Sequence, residues 1–217
     1  MLKNISKWIL LLGMFSLGAC NQEQGPYNHG VYMLIDTSGT YTKELKQAQR
    51  IINYTLSRLN PGDTFAVARV DTGSFSEKDI IYKQTFDERP SVANQQKRKF
   101  RDEIDSFVKK VKPSAYTDIT GGALQAIEYL NEAGTGKKTI LIFSDLKEEL
   151  RKGYVRDIPL QLNSVRVIAV NVSKLRSDNI DPREYMQRLE SWKDKVEAGG
   201  GEWRVINDLE RLDPLFD

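Results

Sequence analysis

The 217-residue chain has one cysteine, Cys20, and one histidine, His29. A single thiol excludes an internal disulfide. A single imidazole excludes His-rich metal clusters and, away from residue 29, any Ser-His or Cys-His relay. Strong charge of one sign is also missing, with 32 Lys+Arg against 30 Asp+Glu. Two of those lysines, Lys3 and Lys7, precede Cys20 without any accompanying acid, so the chain from residue 20 onward is formally neutral. That balance leaves no basic footprint for nucleic acid. Nor is there a long hydrophobic run: the apolar stretch from Trp8 to Ala19 is shorter than the ~20 residues a spanning helix needs.

What the first twenty residues do have is order. Lys3 and Lys7 lead into an apolar core, Trp8 to Phe15, followed by small residues and Leu17-Gly18-Ala19-Cys20. This is the layout of an export signal, and its last four residues resemble the lipobox of bacterial lipoproteins. The resemblance implies cleavage before Cys20, diacylation of its sulfur and acylation of the new amine, which would use up the only thiol. Residues 1–19 then form a signal peptide, residues 20–30 the lipidated cysteine and a short polar linker, and residues 31–217 one domain. The expected location is a bacterial cell envelope, lipid-anchored. In a Gram-negative cell it is the periplasmic face of the outer membrane, because residue 21 is Asn and not Asp. The alternative is a plain signal peptide or membrane helix carrying a chance cysteine.

Beyond the linker, near-continuous apolar runs alternate with helical patterns. Val31–Asp36, Thr139–Asp145 and Val165–Val172 read as strands buried on both faces. Thr64 to about Asp71 and Ile80–Phe86 read as an edge hairpin, and Trp203–Ile206 as a last strand. Leu45, Ala48, Ile52, Leu56 and Leu59 recur at helical spacing. So do Phe100, Ile104, Phe107, Val108 and Val111 in a helix over 91–112, whose Lys97-Arg98-Lys99 cluster is expected to face outward as a solvated surface, with partner binding as the alternative. A further helix spans about 121–131. Another opens at Asp181-Pro182 with Pro in a first-turn position, buries Tyr185, Leu189, Trp192 and Val196, and stops at Gly199-Gly200-Gly201. A short C-terminal helix through Leu212 closes the chain. The expected fold is α/β: a three-layer, Rossmann-like arrangement of a mostly parallel sheet with one antiparallel edge strand and helices on both faces.

In such sheets ligands bind beyond the carboxyl ends of the strands. At the end of the first strand stand Asp36, Ser38 and Thr40, one carboxylate and two hydroxyls at alternate positions, and Asp145 ends another central strand. Thr117 lies ahead of the intervening helix and could bring a third hydroxyl to the same edge. Hard oxygen donors of this kind suit Mg²⁺ or Mn²⁺. The pattern resembles the metal-ion-dependent adhesion site of von Willebrand factor type A domains, Asp-x-Ser-x-Ser followed by a distant Thr and a distant Asp. Asp36, Ser38 and Thr40 match the first element, Thr117 the threonine and Asp145 the last aspartate, and the likeness runs over residues 31–212. Thr40 stands where Ser is usual, and Leu146 follows Asp145 where Gly is common. Lys147-Glu148-Glu149 then places acids at the rim, able to repel an acidic ligand or to act as an internal one. The bland alternative is that Asp36, Ser38 and Thr40 only cap the following helix.

Two other strings mislead. Asp71-Thr72-Gly73-Ser74 spells the aspartic-protease signature, but that chemistry pairs two carboxylates ~3 Å apart in an all-β frame. Gly134-Thr135-Gly136-Lys137 lacks the Ser or Thr after its lysine and precedes a strand where a phosphate loop follows one. The chain thus reads as a membrane-anchored binding module with no assigned catalytic residue. The resemblance implies that it holds one divalent cation and engages a protein partner, through a carboxylate on that partner. A metal-assisted hydrolase at the same site and a metal-free scaffold subunit of an envelope complex are the competing expectations.

Overall fold

The computed structural model describes residues 27–39, 41–70 and 77–217. The export signal, Cys20, Thr40 and the Asp71–Ser74 string lie outside them. Among the described residues six strands form one sheet: β1 (His29–Asp36), β2 (Thr64–Val70), β3 (Ile80–Thr85), β4 (Lys137–Phe143), β5 (Arg166–Val170) and β6 (Glu202–Ile206). Their spatial order is β3-β2-β1-β4-β5-β6. Every neighbouring pair is parallel except β2 and β3, the antiparallel hairpin at one edge. The described α-helices that flank the sheet are α1 (Leu45–Arg58), α2 (Pro90–Lys110), α3 (Ile119–Glu132) and α4 (Pro182–Ala198).

Side chains alternate across each strand, which divides the core into two layers. Met33, Ile35, Phe65, Val67, Leu141 and Phe143 pack with α1 and α2 on one face. Tyr32, Leu34, Ala66, Ile140, Ile142 and Ala169 pack with α3 and α4 on the other. This two-sided burial explains the unbroken apolar runs of the central strands. Among the described residues no helix is long and apolar enough to cross a membrane.

The order of strands places the site. The chain builds outward from β1 through β2 to β3, then returns to the other side of β1 with β4. Beyond the carboxyl ends of β1 and β4 the connections therefore diverge, leaving the crevice in which such sheets bind ligands.

Several boundaries differ from expectation. β1 starts at His29, so the last two residues of the expected linker join the sheet. β4 starts at Lys137 and ends at Phe143, which frees Ser144 and Asp145 from the ladder. The expected C-terminal helix is only a 3-10 turn, Asp213–Leu215, with Pro214 inside it. Lys97 does not face outward with its neighbours: its ammonium donates to the Leu59 carbonyl and lies 5.6 Å from the centre of the Phe86 ring.

Between Phe143 and Arg166 there is neither helix nor named strand. The segment is held by tertiary bonds instead. Arg156 Nε donates to Asp118 Oδ2 at 2.7 Å, and Leu162 and Ser164 donate their N–H groups to the carbonyls of Gly199 and Gly200. Asp118 in turn caps α3, accepting the Gly121 N–H at 2.8 Å, which satisfies one orphan donor of the first turn.

Candidate metal centre

Asp36 is the last residue of β1 and is 1% exposed. Its Oδ1 accepts the Ser38 N–H at 2.8 Å, a local turn that folds the chain back over the carboxylate. Its Oδ2 accepts the Ser144 hydroxyl at 2.7 Å. Burial raises the Asp36 carboxyl above its ordinary range, and the bonds from Ser144 and Ser38 only partly offset that. These bonds bear on the capping alternative for Asp36 alone. Asp36 spends its acceptors on Ser38 and Ser144, while α1 begins at Leu45 with no side-chain cap.

Asp145 lies just past β4, 4% exposed. Its Oδ1 accepts the Lys147 N–H at 2.9 Å. Burial, helped by the nearby charge of Asp36, pushes its carboxyl up to about 6, against the pull of Lys147 and Arg188. The turn after it is held on three sides. Leu146 has φ +66°, unusual for a branched side chain. Its N–H donates to Ser144 Oγ at 3.1 Å, its carbonyl accepts the Trp192 indole N–H at 3.1 Å, and its side chain is buried. Glycine is therefore not required here, because packing and two hydrogen bonds offset the backbone strain.

Two main-chain contacts draw the remaining loops to this edge. The Ser114 N–H donates to the Thr37 carbonyl at 2.8 Å, and Thr117 and Glu149 exchange both backbone bonds at 2.9 Å. The result is a cavity of about 320 Å³ lined by Ser38, Ser114, Thr117, Asp145, Lys147 and Glu149, among others. Asp36 is joined to this lining by its bond from the Ser38 N–H. Of the five residues singled out in the sequence, Asp36, Ser38, Thr117 and Asp145 are thus brought together, and Thr40 lies outside the described residues.

The rim acids divide. Glu148 turns away, accepting the Thr120 N–H at 2.6 Å and the Lys195 ammonium at 3.3 Å. Glu149 stays at the cavity and pairs with Lys147 at 2.6 Å. Sequence reasoning missed Ser144 and Arg188. Ser144 had a signal, being a hydroxyl beside the strand-ending aspartate. Arg188 had none: it grips Asp178 with two bonds of 2.8 and 2.7 Å and donates Nε–H to the Asp145 carbonyl at 3.2 Å.

Among the described residues no three His, Cys, Asp or Glu side chains gather as a metal cage. The available set is two buried carboxylates and neutral hydroxyls, a set of hard oxygens that fits Mg²⁺ or Mn²⁺ and not Zn²⁺. Burial raises both carboxyls, the charge of Asp36 adds to the rise at Asp145, and a cation held there would favour the ionised form of each.

The structure is similar to a von Willebrand factor type A protein from Catenulispora acidiphila, with a TM-score of 0.53 at 15% identity. That match covers 85% of this chain and 40% of the other. The fold is that of a von Willebrand factor type A (VWA) domain. The VWA arrangement also matches a pilus adhesin, SpaC from Lactobacillus rhamnosus GG in an open conformation, with a TM-score of 0.54 at 9% identity. There it covers 86% of this chain and 28% of the other. The match therefore spans less than half the length of either protein. No protein-family model matches the sequence, and no curated protein matches it.

Proposed function

We propose that this chain is an envelope-anchored VWA binding module that holds Mg²⁺ or Mn²⁺ and engages a protein partner through a carboxylate of that partner. The observation that carries the reading is the meeting of Asp36 and Asp145 at the ends of adjacent parallel strands, beside a cavity lined by Ser38 and Thr117. Asp36, Ser38, Thr40, Thr117 and Asp145 would hold the ion. The bound ion would supply a Lewis-acidic position for an anionic oxygen. The residues around it orient the site: Ser144 fixes Asp36, Arg188 and Trp192 fix the Asp145–Leu146 turn, and the Thr117–Glu149 pair closes the rim. SpaC, one of the similar structures, is itself described as an adhesin.

One observation favours hydrolysis at the same site, namely that Asp145 near 6 lies in the range of a general base. That rise comes from burial and from Asp36, and a cation between the two carboxylates would remove it. The binding reading is therefore the better supported.

Anchoring would be through acyl chains on Cys20. The chain joins the sheet at His29, and Asp36 is at the far end of the same strand, ~23 Å away along the extended chain. A tether at Cys20 would then leave the metal edge pointing away from the bilayer.

Calorimetric titration of Mn²⁺ and Mg²⁺ tests the site. Asp36→Ala and Asp145→Ala should each abolish or severely weaken binding while circular dichroism stays unchanged. Equal affinity in both variants and wild type would overturn the assignment. Radiolabelled palmitate should enter the wild-type protein and not Cys20→Ser, and equal labelling would overturn the anchor.

A further inference from the structure

On the face opposite α3 and α4, helices α1 and α2 leave between them a cleft of about 250 Å³. Its polar lining is Asn53 and Ser57 from α1 and Asn94, Lys97, Arg98 and Arg101 from α2, three cations and no acid. Lys97 is bent into the cleft wall by its bond to the Leu59 carbonyl. Arg98 and Arg101 are exposed, and among the described residues neither has a hydrogen-bond or ion-pair partner. The acid one turn beyond Arg101 is occupied, since Asp105 accepts from Gln49 Nε2 at 2.8 Å. Asp63, whose charge reaches Lys97, already accepts the N–H groups of Asn60 and His29 at 2.6 and 2.7 Å. Among the described residues no carboxylate lines the cleft or forms an ion pair with any of its three cations.

Its position matters as much as its charge. α1 ends at Arg58, and the turn that follows delivers the chain to Thr64 at the start of β2. α2 begins at Pro90, just after β3 ends. Both ends belong to the sheet edge opposite Asp36. The same turn receives the chain as it joins the sheet: Asn28 Nδ2 donates to the Gly62 carbonyl at 3.4 Å, and the His29 N–H to Asp63. The cleft lysine and the first described residues thus grip the two ends of one short turn, 59–63. From Tyr27 back to Cys20 the chain can reach at most ~25 Å.

We propose that this cleft takes the phosphate-bearing headgroups of anionic phospholipids, so that the domain docks by its tethered end on the bilayer its acyl chains enter. The proposal rests on the acylation of Cys20 for its geometry, but not for its chemistry. Converging guanidinium and amide donors suit phosphate oxygens, and Arg presents them in a fixed fork. Basic side chains near an anionic surface act within a Debye length, so the cleft by itself favours an anionic bilayer and the tether adds to that by keeping the cleft close.

The test uses the chain from residue 20 onward with Cys20→Ser, which retains every described residue and has no acyl group. Co-sedimentation is measured with phosphatidylglycerol-containing vesicles and with pure phosphatidylcholine vesicles, at low and high salt, with inorganic phosphate as a competitor. The expected result is binding to the anionic vesicles at least about tenfold tighter than to neutral ones, lost at high salt. Arg98→Glu with Arg101→Glu should remove that preference, and Arg98→Lys with Arg101→Lys should keep most of it. No preference for anionic vesicles, or a preference that survives the double charge reversal, would overturn the proposal. So would displacement by inorganic phosphate as effective as by lipid, since the cleft would then be a site for the free ion. The mass of the N-terminal peptide from the cell-derived protein reports acylation separately. An unacylated Cys20 would overturn the anchor while the vesicle result still decides the cleft.

Discussion

Ser144 donates its hydroxyl to Asp36 Oδ2 at 2.7 Å, although 108 residues separate the two in sequence. The same Oγ accepts the Leu146 N–H at 3.1 Å. One side chain therefore sets both the first site carboxylate and the turn that carries the second. Ser144→Ala should lower Mn²⁺ affinity by roughly 10–100-fold, as loss of a group orienting a ligand does. Calorimetry would read this, and unchanged affinity would show that the hydroxyl positions nothing.

Asp145 makes the metal-free domain sensitive to mild acid in an unusual direction. A carboxyl whose native pKa lies above its unfolded value costs stability when ionised. That cost is complete above about pH 6 and disappears as the pH falls toward about 4. It amounts to roughly 2–3 kcal/mol. Urea unfolding in EDTA should find Asp145→Asn more stable than wild type at neutral pH, with the gap closing as the solution is acidified. A gap that widens on acidification would contradict the assigned shift.

Asp118 has two separable roles, as cap of α3 and as partner of Arg156. Asp118→Asn keeps an oxygen for the Gly121 N–H and loses the ion pair, whereas Asp118→Ala loses both. The alanine variant should be less stable than the asparagine variant by about 1 kcal/mol in urea unfolding, the ordinary worth of a cap. Equal loss would mean that the ion pair alone matters.

The irregular segment after β4 packs so closely on the end of α4 that it leaves no room for one methyl group. A Cβ on Gly199 would sit 2.3 Å from the Leu160 carbonyl oxygen, whereas one on Gly39 would meet nothing within 4 Å. Gly199→Ala should cost about 2 kcal/mol or more. Gly39→Ala should stay within about 0.5 kcal/mol of wild type. Thermal unfolding of the two variants, side by side, checks the contrast.

How far the sequence speaks follows from what each feature depends on. The central strands are legible because burial on both faces leaves an unbroken apolar run, as in Val31–Ile35 and Ile140–Phe143. Asp36 and Asp145 are legible because a carboxylate ending such a run has few structural excuses. The limits of β4 are not, since Ser144 and Asp145 read as strand and are released only by the Asp36 and Lys147 bonds. Nor is the inward turn of Lys97, which a helical wheel places with its charged neighbours and only the Leu59 carbonyl pulls away. The segment after Asp145 has no period to read, because its order comes from Asp118, Thr117 and the end of α4.

The rim of the site is joined by backbone: Ser114 to Thr37, and Thr117 to Glu149 in both directions. Main-chain bonds of that kind do not depend on which side chains are present. A loop can exchange nearly all its residues and still be fastened in the same place, provided a few oxygens and the apolar strands behind them persist. Substitutions around this crevice can therefore change its lining with little penalty while its architecture stays put. The shape of this edge is thus carried by its main chain and survives changes that would erase any likeness in sequence.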